Sequence, residues 1–238
     1  MFRDVSFALA AGSLLHVAGA NGSGKTTLLR ILTGLGVADA GEVRWHGELL
    51  RAQRESYARE LVYVGHAAAL KDDLSAEENL HLAGVLAGHA ITAVAACDAL
   101  TLFGLGECLR LPARLMSQGQ RRRAVLARLA LAHDAPLWIL DEPFNALDVA
   151  AVALLEGLLI KHVEGGGIVS SPRTRMPQSP HARPHGYNLT PQRCTHDVRT
   201  ASGHLPRSHA SVAAPHRCIH HIDIFCGGGQ PVPIGHRR

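Results

Sequence analysis

A chain of 238 residues is long enough to bury one large core or two modest ones. It carries 24 basic and 20 acidic side chains, but the last 69 residues hold nine arginines, no lysine, two aspartates and no glutamate. The basic excess therefore belongs to the tail, residues 1–169 are net acidic, and the charge gives no nucleic-acid signature for the protein as a whole.

No apolar run approaches the roughly 20 residues of a spanning helix, and the start MFRDVSFALAAG has neither the basic opening nor the long apolar stretch of a signal peptide. The five cysteines contain no C-x-x-C pair, so the expectation is a soluble chain of a reducing compartment without a disulfide framework.

The first element with a chemical signature is SLLHVAGANGSGKTTLLRILTGL. An apolar strand over Leu14 to Ala18 runs into a glycine-rich loop and then into a helix carrying Leu28, Leu29, Ile31 and Leu32. The loop satisfies G-x-x-x-x-G-K-[ST] from Gly19 to Thr26 in the strand–loop–helix setting that this motif requires. Its glycines let the backbone N–H groups of Gly19, Ala20, Asn21, Gly22, Ser23, Gly24, Lys25, Thr26 and Thr27 curl around a polyphosphate, and the helix N-terminus adds its positive end. In this role Lys25 reaches the β and γ phosphates and the Thr26 hydroxyl is a Mg²⁺ ligand.

Farther along, LVYVGHAAALKDDLSAEENL places Gly65 and His66 after an apolar strand. In RLMSQGQRRRAVLARLALAHDAP, Ser117 to Gln120 precede a helix carrying Val125, Leu126, Leu129 and Leu131. Two readings of this stretch stand side by side: a second anion site at a helix N-terminus, or an N-cap above an arginine-covered solvated face. Next comes APLWILDEPFNALD, a short buried strand over Leu137 to Leu140 that ends in Asp141 and Glu142. Carboxylates at the C-terminal edge of a central parallel strand lie where such sheets bind ligands. Asp141 suits Mg²⁺ coordination, usually through water, and Glu142 suits the polarisation of an attacking water.

The ordered set GANGSGKT, MSQGQRRR, LWILDEP and NALD resembles the nucleotide-binding subunits of ABC transporters, whose signature loop is usually LSGGQ. The resemblance covers residues 1 to about 169. It implies an α/β P-loop NTPase fold: a RecA-like core with an antiparallel β subdomain, interrupted by a helical subdomain near residues 70–125. It also implies ATP and Mg²⁺ as ligands and a head-to-tail homodimer. In that dimer Ser117, Gly119 and Gln120 of one copy cap the γ-phosphate on Lys25 of the other, and Asn145 to Asp148 form the D-loop that crosses the interface.

More finely, GHAAALKDD and LMSQGQRRRAVLARL resemble the ATP-binding subunits of cytochrome c maturation systems. His66 then takes the Q-loop place, where the ATPase site couples to a membrane partner. This implies membrane-spanning permease subunits and a heme pathway as partners. It also implies a peripheral position on the cytoplasmic face of a bacterial inner membrane, and no nucleic acid. An ABC subunit serving another transporter, or a soluble ABC ATPase of DNA repair, would carry the same core motifs.

Two departures from the family pattern stand out. The opening Phe2-Arg3-Asp4-Val5 resembles the family's second strand, so the first strand and the residue that stacks on adenine are expected to be missing. And after the helix over Val149 to Glu164 the family calls for Gly-Gly, an apolar strand and a Thr-Thr-His-Gln-like H-loop, whereas this chain reads GGGIVSSPRTR.

Written GTC CTC ACC ACG CAC CAG, the peptide Val-Leu-Thr-Thr-His-Gln loses its first base to become TCC TCA CCA CGC ACC AG. That encodes Ser-Ser-Pro-Arg-Thr followed by Arg or Ser, which agrees with Ser170 to Arg175. From there on, nine of the chain's 12 prolines and nine of its 16 histidines crowd in, and Leu, Ile, Val and Phe supply only ten of the 69 residues, too few for a stable core. The expectation is that residues 170–238 are an out-of-frame translation, largely disordered and forming no domain; an unbroken frame on resequencing the locus would overturn it. Without the missing histidine, the chain is expected to bind ATP but to be impaired in hydrolysis. A metal module built on Cys194, His196, Cys218, His220, His221 and Cys226 lacks the paired spacing of structural zinc sites. A nucleic-acid-binding tail lacks aromatic residues between its arginines.

Overall fold

The computed structural model describes residues 5–88, 90–132, 134–172, 183–189 and 221–225. In chain order the elements are β1 (Ser6–Ala10), β2 (Ser13–Gly19), α1 (Lys25–Leu32), β3 (Glu42–Trp45), β4 (Glu48–Leu49), α2 (Arg54–Arg59) and β5 (Leu61–Val64). Three helices follow, α3 (Ala76–Leu86), α4 (Ala93–Leu102) and α5 (Gln118–Leu126), then β6 (Leu137–Leu140), α6 (Val149–Glu164), β7 (Ile168–Ser171), β8 (Arg183–Leu189) and β9 (His221–Phe225).

Five strands make a parallel sheet in the order β5-β6-β7-β2-β8. β6 reads LWIL and every one of its residues is buried, as an unbroken apolar run must be when both faces of a central strand are covered. Its side chains alternate between two cores, Leu137 and Ile139 entering one, Trp138 and Leu140 the other. β2 divides the same way, with Leu15 and Val17 on the first side and Leu14 on the second.

The first core is closed by Leu28, Leu29 and Leu32 of α1, Phe7 and Leu9 of β1, and Trp45 and Tyr57. The second is closed by α3, α4 and α5 together with Leu155, Leu159 and Val163 of α6. The antiparallel sheet has the order β1-β9-β3-β4.

The helices that flank the site start at side-chain caps. Ser75 and Glu78 close a capping box on α3, Ser117 and Gln120 close another on α5, and the Asp148 carboxylate accepts from the Ala151 N–H at 2.8 Å to start α6.

Of the tail, three stretches are among the described residues. β7 continues through Ser170 and Ser171, β8 pairs in parallel with β2, and β9 lies between β1 and β3. Backbone pairing needs no apolar pattern, and the edges of β2, β1 and β3 present unpaired N–H and C=O groups that any extended segment can satisfy. Apart from His221, which begins β9, the cysteine–histidine group of the tail lies outside the described residues, as do Phe2, Arg3 and Asp4.

Within β7 the composition conflicts with the position. Ser170 and Ser171 are buried, opposite Leu15 and His16 of β2, and among the described residues neither hydroxyl has a hydrogen-bond partner. A buried polar group left unsatisfied costs about 1–3 kcal/mol. The double variant Ser170→Ala, Ser171→Ala removes two such groups and is therefore expected to be more stable than the parent by about 2–6 kcal/mol. Urea unfolding checks this, as a raised midpoint at unchanged slope.

Candidate nucleotide site

The loop from Gly19 to Thr26 leaves β2 at the C-terminal edge of the parallel sheet and turns directly into α1. Gly24 is the N-cap of that helix at φ 99°, a left-handed conformation that a residue with a Cβ adopts at a cost. The Ser23 N–H donates to the Ala20 carbonyl at 3.1 Å, and the Leu28 N–H donates to the Gly24 carbonyl at 2.8 Å. The Lys25 ammonium folds back over the loop and donates to the carbonyls of Gly19 at 2.8 Å and Ala20 at 2.9 Å.

Two observations fit this loop to a phosphate chain with a divalent cation. The Ser23 hydroxyl is buried in the loop with no hydrogen-bond partner among the described residues, a donor that an anion would satisfy. The Thr26 hydroxyl donates to Asp141 Oδ2 at 3.1 Å, so two hard oxygen ligands from segments 115 residues apart meet beside the loop. Among the described residues no cluster of three His, Cys, Asp or Glu side chains could hold a metal by itself. A cation here would complete its shell with phosphate and water, which is the habit of Mg²⁺.

Asp141 and Glu142 follow β6 directly. Asp141 is buried and points to Thr26, and its N–H donates to the Val64 carbonyl at 2.7 Å. Glu142 has φ 51°, unusual for a residue other than glycine, and its carboxylate has partners different from those of Asp141. Its Oε2 accepts a hydrogen bond from Asn145 Nδ2 and lies 3.3 Å from Nδ1 of His66. The structure thus brings His66, Glu142 and Asn145 together, three residues that the sequence separates by up to 79 positions. A cleft of about 470 Å³ opens beside them, lined by His66, Gln118, Asn145 and Ala146.

Within one chain the contacts of Ser117, Gly119 and Gln120 are with residues other than the phosphate loop. Ser117 and Gln120 are engaged in capping α5, and Gln120 Nε2 also contacts Cys108 Sγ at 3.4 Å. Gly119 is where it is because a Cβ there would meet the Ala146 carbonyl at 3.0 Å, so the loop lies against the segment after Glu142.

The reading of the three arginines after Gln120 as a solvated face fails at Arg122, which is 6% exposed. Its Nη1 donates to the Gly65 carbonyl at 2.8 Å, and its Nη2 donates to the carbonyls of Asp141 at 2.8 Å and Glu142 at 2.7 Å. Burial lowers its pKa and the charges of Asp141 and Glu142 oppose that shift, and an arginine in such a place stays a cation. The signal was present in the helical period: Arg122 lies three, four and seven residues before Val125, Leu126 and Leu129, all buried. Arg121 is turned instead to Asp72, at 2.7 Å.

The sequence pattern of the ABC transporter family matches residues 2–145, more than half of the chain. The chain belongs to the ABC transporter family. Among its curated relatives is the cytochrome c biogenesis ATP-binding export protein CcmA of Aromatoleum aromaticum, 52% identical over 169 residues, or 71% of this chain and 79% of the relative. CcmA of Pseudomonas aeruginosa is 48% identical over 169 residues, or 71% of this chain and 83% of the relative.

Solved ABC structures share the fold. An ATP-binding subunit of an ABC transporter superimposes with a TM-score of 0.63 at 26% identity, covering 72% of this chain and 78% of its own. An ATP-binding cassette solved as a dimer with ADP and Pi gives a TM-score of 0.62 at 25% identity, covering 69% and 76%. In this ABC chain Lys25→Ala removes the cation of the phosphate loop, and ATP binding is expected to weaken by about 100-fold, as loss of a charge-assisted contact at a site of this kind implies. Asp141→Asn is expected to keep nucleotide binding without Mg²⁺ while losing most of the gain that Mg²⁺ confers. Titrations of a fluorescent ATP analogue with and without Mg²⁺ check both.

Proposed function

We propose that this chain is the ATP-hydrolysing, energy-coupling subunit of an ABC complex for c-type cytochrome biogenesis, in heme export or heme handling. The observation that carries the reading is the convergence at the end of β6, where Asp141 meets Thr26 while Glu142 is held by Asn145 and His66. The curated relatives supply the pathway, since the proteins it resembles over 169 residues are CcmA subunits.

In the proposed reaction water attacks the γ-phosphorus in line with the bond to the β-γ bridging oxygen. Glu142 takes a proton from that water as the new P–O bond forms. The bond to the bridging oxygen breaks, leaving ADP and inorganic phosphate. Lys25 leaves the carbonyls of Gly19 and Ala20 for the β and γ phosphates, whose growing negative charge it neutralises. Thr26 and Asp141 would hold Mg²⁺, which would supply Lewis-acid stabilisation of the charge on the phosphates. His66 lies within reach of Glu142 and at the rim of the cleft, so it orients the carboxylate and links this site to the membrane partner.

A second copy completes the site by presenting Ser117, Gly119 and Gln120 to the γ-phosphate. The dimeric cassettes among the solved relatives support that arrangement. Among the described residues no helix is long and apolar enough to cross a membrane, so association with the cytoplasmic face of the inner membrane would run through permease subunits.

The tail bears on how much turnover this chain achieves. The alignments to CcmA of Aromatoleum aromaticum and Pseudomonas aeruginosa span 169 residues, equal in length to the chain before the change of composition, and Ser170 and Ser171 are buried with no hydroxyl partner among the described residues. These support a shifted frame after Val169 and the loss of the H-loop histidine. Mg-ATP binding is expected to match that of a version carrying Val-Leu-Thr-Thr-His-Gln at 170–175 and the restored frame beyond, whereas hydrolysis is expected to be lower by about 100-fold, the scale of one lost transition-state contact. A phosphate-release assay on the two chains, with Glu142→Gln as the non-hydrolysing control, checks this. Equal turnover of the two would refute the impairment, and turnover unaffected by Glu142→Gln would refute the mechanism.

A further inference from the structure

We infer that Arg122 is a positioning residue for hydrolysis: its guanidinium sets the angle of Glu142 and locks the His66 loop and the end of β6 to the helix that begins at the signature loop. The inference rests on the ATPase reading above, but the geometry behind it stands alone. Three carbonyls converge on one buried cation, those of Gly65, Asp141 and Glu142. Gly65 immediately precedes His66, and Asp141 and Glu142 carry the two carboxylates, so one side chain grips the backbone beside each of these three groups.

The grip is directional. The carbonyls of Asp141 and Glu142 both accept from the same nitrogen, and they face it together because Glu142 has φ 51°. A left-handed conformation at a non-glycine residue is held only where its surroundings over-determine it, and here Arg122 donates to the carbonyls on both sides of the peptide unit that Glu142 turns, with the Asn145 N–H also on the Glu142 carbonyl at 3.2 Å. With one nitrogen on Gly65 and the other on both Asp141 and Glu142, the contacts fit a planar fork, whereas an ammonium is a single point. Arg122 also lies two residues beyond Gln120 on α5, so the helix whose start is offered to the second copy's nucleotide also sets the catalytic carboxylate of its own.

Arg122→Lys tests this on the full chain, because it keeps the charge and removes the fork. Hydrogen exchange is expected to speed up by about tenfold or more at residues 65–66 and 141–146, as loss of a charged hydrogen bond implies, with little change elsewhere. Single-turnover hydrolysis is expected to fall by about 100-fold, while the dissociation constant for Mg-ATP stays within about threefold, the signature of misplaced chemistry rather than lost binding. Unchanged exchange at both loops, or hydrolysis at the parent's rate, would overturn the inference. So would a fall in melting temperature with faster exchange throughout and binding lost in parallel, because Arg122 would then serve packing alone. If the parent shows no hydrolysis that depends on Glu142, the ATPase reading fails, and the exchange result decides the clamp by itself.

Discussion

The hydrogen bond between Thr26 and Asp141 ties the first turn of α1, which follows β2, to the end of β6, two strands that do not touch because β7 lies between them in the sheet. It holds only if that sheet keeps its order and register. The register is protected by alternation, because a slip of one residue in β6 would exchange Leu137 and Ile139 for Trp138 and Leu140 and bring each set into the wrong core. The site therefore inherits its precision from the packing of two apolar layers rather than from the loops that carry the chemistry.

Around that tie the polar groups form a connected set. Asp141 is buried with its carboxylate on Thr26 and its carbonyl on Arg122, and Glu142 shares the same arginine through its own carbonyl. A buried cation facing backbone carbonyls is expensive unless it is hydrogen-bonded, and both terminal nitrogens of Arg122 find carbonyls here. That cost explains why the stretch beyond Glu142 is tight, with Gly119 against the Ala146 carbonyl and Asn145 on the Glu142 carboxylate. The C-terminal part of the sheet shows the contrary case: among the described residues the hydroxyls of Ser170 and Ser171 in β7 have no partner, although the strand's backbone pairs with its neighbours.

Much of this was legible in the chain. The glycine-rich loop, the apolar run before Asp141 and Glu142, and the cap Ser117 are local patterns whose conformation follows from a few neighbouring residues. The elements they belong to were accordingly expected where they occur. Arg122 was hidden for a different reason. In a run of three arginines, composition says solvent, and only the phase of the helix against Val125, Leu126 and Leu129 shows which one turns inward. The strands β8 and β9 were hidden as well, because their pairing is satisfied by backbone groups that every residue carries.

By itself the sequence determined that a polyphosphate loop and a pair of carboxylates are present, and the ordered motifs between them pointed to the ABC family, because each depends on residue types at short fixed spacings. Only the tertiary structure decided that Thr26 meets Asp141, that His66 and Asn145 converge on Glu142, and that one buried arginine binds the loops together. Those contacts span from three to 115 positions in the chain, and which of them form depends on sheet order and helix phase, properties of packing that no short stretch encodes.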